Sequence, residues 1–297
     1  GGDDVRVELV ELANPMSDEA PLLRTTLLPG LVIAARRNLG RGAVDVALFE
    51  VGLVFRGTGT GTSDSPPRPS VAGRPSAAEL AGLEALLPDQ PRHAAGILAG
   101  DRDRAGWWAP GRSADWSDAI GVVRDLAEEL GVQVEVGSGA SAPWHPGRCA
   151  TILVGRQVIG HAGELHPRVI GDLGLPARTV AFEINLDALV AEAPDAVQAP
   201  GFSTMPVAKE DLAVVVEAGV PAEDVRRALI SGGGELLESV RLFDTYSGEQ
   251  VGAGRRSLAF ALRMRAPDRT LSAAEVGQVR EDALAAAEQQ CGAVLRA

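Results

Sequence analysis

LLESVRLFDTYSGEQVGAGRRSLAFALRMRAPDRTLSAAE, residues 236–275, reads as two strands joined by a glycine-bearing turn and followed by a capped helix. Successive strand side chains point to opposite faces. Ser257–Arg265 therefore places Leu258, Phe260, Leu262 and Met264 on one face and Ser257, Arg263 and Arg265, with Arg255 just before them, on the other. The first face must be buried. The second can be offered to a polyanion.

Working outward, residues 211–217 read as a strand and 221–230 as a helix opened by proline, with Val225, Ala228 and Leu229 inward. Strands follow at 240–244 and 257–265. A second helix over 272–290 starts at a Ser272-x-x-Glu275 capping box, and residues 294–296 form a last short strand. The order β-α-β-β-α-β in under 100 residues is the ferredoxin-like split βαβ arrangement, with two helices on one sheet face and the other open. Residues 201–297 carry 11 Lys+Arg against 14 Asp+Glu, yet 241–269 carry 6 Arg against 3 acids. Positive charge is concentrated on the central hairpin. Alternation puts Arg241 and Phe243 on one side and Val240 and Leu242 on the other. Arginines beside Phe243 and Tyr246 suit an unpaired nucleotide, because guanidinium groups meet phosphate and rings stack on bases at roughly 1–3 kcal/mol each. The same pattern also fits a core phenylalanine beside a solvated arginine face.

The 297 residues allow two domains, and 45% apolar content is ample for their cores. A formal charge of −12 argues against general coating of nucleic acid, so any such contact is local. Lys209 is the only lysine, which reads as coding bias towards arginine. Cys149 and Cys291 form no paired framework, which suits a reducing, cytoplasmic setting. The longest apolar run, 27–35, is too short to span a bilayer, so no membrane contact is expected. No charged-then-apolar leader is present, and a chain starting at Gly1 reads as a piece of something longer. Upstream of residue 202, strands are expected at 5–13, 44–55, 93–100 and 179–184, with Gly52 a bulge or a close-approach point. Helices are expected at 27–37 and 113–131, and a hairpin over 150–165 turns at Gly155-Arg156. Residues 57–75 read as a loop, and 188–201 lose periodicity as a linker. The resulting division is 1–190, a linker at 191–201, and 202–297.

FSTMPVAKEDLAVVV (202–216), LLESVRLFDTYSG (236–248), GAGRRSLAFALRM (252–264), DRTLSAAEV (268–276) and GAVLR (292–296) resemble the ferredoxin-fold anticodon-binding domain that closes the β subunit of bacterial phenylalanyl-tRNA synthetase. Upstream, NPMSDEAPLLRTTLLPGLVIAARRNLGRG (14–42), LFEVGLVFRG (48–57), ADWSDAIGVVRDLAEELGV (114–132) and HPGRCATILVGRQVIGHAGELHPRV (145–169) resemble the same subunit's catalytic-like module. The resemblance implies an α+β chain: an inactive class II synthetase-like antiparallel sheet module, incomplete at its N-terminal side, followed by the anticodon-binding domain. It further implies that the first part packs against an α subunit in an (αβ)2 assembly. The second would bind the anticodon region of tRNA-Phe through Lys209, Arg241, Phe243, Tyr246, Arg255, Arg256 and Arg263. ATP and magnesium would be used by the assembled enzyme and not held by this segment. Editing and magnesium sites would lie upstream. Against the family pattern, Glu210 in Lys209-Glu210-Asp211 reverses one charge. Two other readings are a catalytically competent single-chain synthetase of organellar type and a non-enzymatic protein-interaction module.

Catalytic chemistry is weakly signalled. Arg56 fits the position of an ATP-clamping arginine, and Gly163-Glu164-Leu165-His166-Pro167 resembles a turn of the catalytic subunit. The segment that follows lacks the second, glycine-framed arginine that adenylation needs. His145, His161 and His166 have no metal-helix spacing, and Gly57-x-Gly59-x-Gly61 leads into Pro66-Pro67, not a phosphate-binding helix. No catalytic or metal-ligating residue is therefore assigned. Trp107, Trp108 and Trp116 read as packing or subunit-interface residues.

Overall fold

The computed structural model describes residues 4–7, 9–18, 20–57, 68–70, 72–196 and 203–296. They fall into two compact units that divide between 197 and 198. Most of the loop expected at 57–75 lies outside the described residues.

In the first unit, α1 (Leu28–Gly40) is followed by β1 (Val46–Leu53), α2 (Ala77–Glu84), β2 (Arg92–Ala99), β3 (Asp101–Asp103), β4 (Arg112–Ser113) and α3 (Trp116–Glu129). Then come β5 (Glu135–Gly139), β6 (Trp144–Val154), β7 (Gln157–Leu165), α4 (Pro167–Leu173), β8 (Val180–Asn185) and α5 (Leu186–Ala191). Six strands form one antiparallel sheet in the order β1-β2-β8-β7-β6-β5. One face packs Ile120, Val123 and Ala127 of α3 against Ala162, Phe182 and Ile184. The other packs Leu31, Val32 and Ala35 of α1 against Ala95, Ile97 and Ala181. Strand β2 is covered on both sides, which is why HAAGILA shows no alternation. Gly52 keeps the register of β1 without a bulge. A Cβ there would meet the Arg24 guanidinium, which bonds the Leu53 carbonyl, so that side chain approaches the strand closely at the glycine.

Two expectations are corrected. Among the described residues of 5–13 there is no strand: Val5–Val7 is a 3-10 turn, and only the bridge Glu11–Leu22 follows. Asp4 accepts both the Arg6 amide and its guanidinium, which bends the chain there. The expected linker at 188–201 begins inside a helix: Asn185 caps α5 through the Ala188 amide at 2.9 Å, and Leu189 is fully buried. The sequence signal was an asparagine cap before Leu186 and Leu189, too short to show periodicity.

In the second unit, β9 (Ala208–Glu217), α6 (Ala222–Gly233), β10 (Leu237–Tyr246), β11 (Arg255–Met264), α7 (Ala273–Cys291) and β12 (Val294–Leu295) follow in order. The antiparallel sheet runs β10-β11-β9-β12, the split βαβ order. Val225, Ala228 and Leu229 of α6 and Val279, Ala283 and Ala287 of α7 pack against Leu212, Val214, Leu258, Phe260 and Leu262. Gly232 of α6 lies against the Asp282 carbonyl, Ala283 and Ala286 of α7, where a Cβ would clash, so the two helices approach closely. Ser272 opens α7 through the Glu275 amide while Glu275 bonds the Ser272 amide, and Gly292 ends it in the left-handed conformation at φ 63°. Ser272→Ala is expected to lower the stability of this unit by about 1 kcal/mol, measured by hydrogen exchange at α7 amides. The Ser272 amide, then Arg269, holds the Glu275 carboxyl at about 2. A carboxyl lowered by folding stabilises above its unfolded value. This contribution should therefore be complete at neutral pH and fade as pH falls from about 4.5 to about 2.

Candidate nucleic-acid interface

The side chains of β9 and β11 sort by register into a helix-covered set and an open set. Opposed open-face pairs are Lys209–Arg263, Asp211–Ala261, Ala213–Ala259, Val215–Ser257 and Glu217–Arg255. On β10, Arg241 lies opposite Ala261, Asp244 opposite Ala259 and Tyr246 opposite Ser257. The floor between the charged rows is thus made of Ala213, Ala259 and Ala261, low enough for a planar group to approach the sheet, while Ser257 at one end is buried. Around it stand Arg241, Arg255, Arg263, Lys209 and Tyr246, all exposed.

A bulge between Leu242 and Asp244 makes this grouping possible. Arg241 and Tyr246 are five apart and would face opposite sides of a regular strand. The extra residue, Phe243, resets the alternation and brings both to the open face. Phe243 itself is 47% exposed on an edge strand and Tyr246 37%, so neither ring is sealed in the core.

Electrostatically the face is mixed. Arg241 and Arg255 make no ion pair among the described residues, whereas Arg263 lies 3.7 Å from Glu238 and is partly neutralised. Arg265 is drawn off the face: it bonds the Ser203 carbonyl at 2.6 Å and lies 3.5 Å from Glu238. Arg256 is a correction. Its register opposite Val216 puts it with the helix-covered set, its guanidinium donates to the Val220 carbonyl, and its Nε is buried without a partner. It pins the entry to α6 and does not join the open face. Glu210 also lies on the covered side, opposite Leu262; the acid sharing the face with Lys209 is Asp211.

One residue escaped the sequence reading. Arg296, just beyond β12, bonds Ser257 Oγ at 3.4 Å and Gln250 at 3.2 Å, and its guanidinium sits 5.4 Å from the Tyr246 ring centre. The sequence signal was a basic residue closing the short strand expected at 294–296. It adds a cation to the face and holds the tyrosine ring.

In the first unit the flagged residues divide differently. His166 caps α4 through the Arg168 amide, and His145 accepts the Gly147 amide; both are structural. Glu164 is buried against Arg148 at 2.9 Å. Trp107 (95% exposed), Trp108 and Trp116 are exposed and not core; Trp144 is the buried tryptophan, its indole bonded to the Ala181 carbonyl. Arg56 and His161 line a cavity of about 590 Å³. There, burial and then the Arg6 charge pull His161 below the usual imidazole range. No helix among the described residues is long and apolar enough to cross a membrane.

Two family models match the chain. Residues 2–186 match the family model described as "Phenylalanyl tRNA synthetase beta chain CLM domain". Residues 203–296 match that of the "Ferredoxin-fold anticodon binding domain". Over 99% of its length the chain is 54% identical to the phenylalanine–tRNA ligase beta subunits of Streptomyces avermitilis and Thermobifida fusca, covering 36% of each relative. It is 52% identical to that of Cutibacterium acnes, covering 35%. The chain thus spans about a third of the length of these relatives. It belongs to the phenylalanyl-tRNA synthetase beta chain family, with a ferredoxin-fold anticodon-binding domain as its second unit.

Proposed function

We propose that the second unit binds the anticodon stem-loop of tRNA-Phe on its open sheet face. The first unit would be a non-catalytic scaffold for the α subunit in an (αβ)2 assembly, which charges tRNA-Phe with phenylalanine using ATP and magnesium. The observation carrying this reading is Arg241 and Arg255, without ion pairs among the described residues, flanking a low floor of Ala213, Ala259 and Ala261, with Tyr246 and Phe243 at one side. Guanidinium groups and Lys209 would position the phosphate backbone, and the rings would stack on splayed bases. Arg263, shared with Glu238, would contribute less, and Arg256 would act only through the shape of the unit.

Arg255→Ala combined with Arg241→Ala is expected to weaken binding of a tRNA-Phe anticodon stem-loop. It should also flatten the dependence of log K on log salt by about 0.7 for each single-strand phosphate that is no longer neutralised. Fluorescence anisotropy across a salt series measures both. An affinity and slope equal to those of the parent chain would refute the assignment and leave a protein partner as the occupant of the face.

A further inference from the structure

The cavity of the first unit holds a cation without a counter-ion. Arg56 extends from the end of β1 into a wall shared with His93 and Glu183, and its backbone bridges Asp89. It is half buried, forms no ion pair among the described residues, and its Nε is sealed without a hydrogen-bond partner. Among the described residues its guanidinium has one hydrogen-bonding contact, with His93 Nε2 at 3.4 Å. An arginine can only donate, so Nε2 accepts and Nδ1 carries the ring proton towards Glu183 Oε1, 2.8 Å away.

Glu183 is the nearest candidate counter-ion, and it is already engaged. Oε1 also accepts the Leu27 amide at 3.2 Å, and Oε2 accepts the Thr26 hydroxyl. The imidazole stands between it and Arg56. The other acid on the cavity wall, Asp4, is held by the Arg6 guanidinium through two bonds of 2.8 and 2.7 Å, and this keeps its carboxyl at about 2. Neither carboxylate makes a direct ion pair with Arg56. The cavity is also lined by Trp144, Val158 and Ile159, with the His161 ring tilted by 34° against the indole at 5.5 Å.

We propose that this cavity is a binding site for a small organic carboxylate, the acid group meeting Arg56 and the hydrocarbon part lying along Trp144, Val158 and Ile159. A partly desolvated cation gains most from an anion that shares its low-dielectric surroundings. The free-energy need that no protein carboxylate meets is met by the ligand. The guanidinium of Arg56, which makes no ion pair among the described residues, repels an ammonium group, so the site discriminates against amines. His161, its pKa drawn down by burial and then by the Arg6 charge, offers a polar edge to the cavity.

The test is a titration of the chain with benzoate, followed at the Trp144 indole N–H by NMR. Benzamide, benzylamine and inorganic phosphate serve as comparison probes. Saturable movement of the Trp144 signal with benzoate is expected, at least about tenfold tighter than with benzamide or benzylamine. Arg56→Gln is expected to remove the preference for benzoate over benzamide. Because Arg56 touches His93, a second variant guards against misfolding: Val158→Phe fills the cavity from a largely exposed position and should abolish binding while leaving the amide spectrum dispersed. Phosphate saturating more tightly than benzoate would make the cavity an oxyanion site and overturn the carboxylate assignment. Absence of saturation with every probe at about 10 mM would overturn the site altogether. The outcome is independent of RNA binding by the second unit.

Discussion

Removing both rings, Phe243→Ala with Tyr246→Ala, is expected to weaken binding of the tRNA-Phe anticodon stem-loop by at least about 30-fold. Each base stacked on an aromatic side chain contributes about 1–3 kcal/mol, and 1.4 kcal/mol is a factor of ten. Two lost stacks therefore cost about 2 kcal/mol at the low end. Neither ring belongs to the core, so the unit should keep its fold. Phe49→Ala is the control: that ring is 80% exposed on β1 of the first unit and should leave the affinity unchanged. Anisotropy titrations on the three proteins decide the matter. A double variant that binds like the parent would exclude base stacking by these rings, whatever the arginines do. Tyr246→Phe separates the ring from its hydroxyl, and should retain most of the affinity because the cation over the ring remains.

Phe260→Ala should be the most damaging single change to the second unit, lowering its stability by about 3–5 kcal/mol. Phe260 is fully buried at the centre of β11, opposite Leu212 on β9 and Leu242 on β10. Both helices press on this sheet face, so the space left by the ring has little scope to collapse. Many domains have only 5–15 kcal/mol in total, so most of the margin would go. Urea unfolding followed by hydrogen exchange in α6 and α7 measures the loss. The first unit, with separate cores on either side of its own sheet, should unfold at an unchanged midpoint. A loss below about 1 kcal/mol would contradict the burial described for β11.

The second unit was legible because each of its signals is local. Ser272-x-x-Glu275 marks a helix start by chemistry within four residues, and Leu258, Phe260, Leu262 and Met264 mark a half-buried strand by simple alternation. The first unit was less legible for two reasons. Strand β2 is covered on both faces and so carries no period, and α4, α5 and β5 span only 7, 6 and 5 residues. At those lengths caps speak louder than periodicity, as His166-Pro167 and Asn185 show. The expected strand at 5–13 failed because Asp4 turns back onto Arg6, a competition that apolar alternation does not register.

For the open face, residue order alone determined that one side of β11 is apolar and the other carries arginine, since the period of a strand is fixed by its backbone geometry. Which arginines remain available was decided by tertiary structure. Arg255 and Arg256 are neighbours in sequence, yet one stands free and the other is bound to the Val220 carbonyl. The bulge at Phe243 brings Tyr246 round to Arg241, and Arg296 arrives from the far end of the chain to lie over its ring. Charge and ring content are properties of composition. Their convergence on one surface depends on register, bulges and pairings between residues distant in sequence, and these are set only when the strands meet.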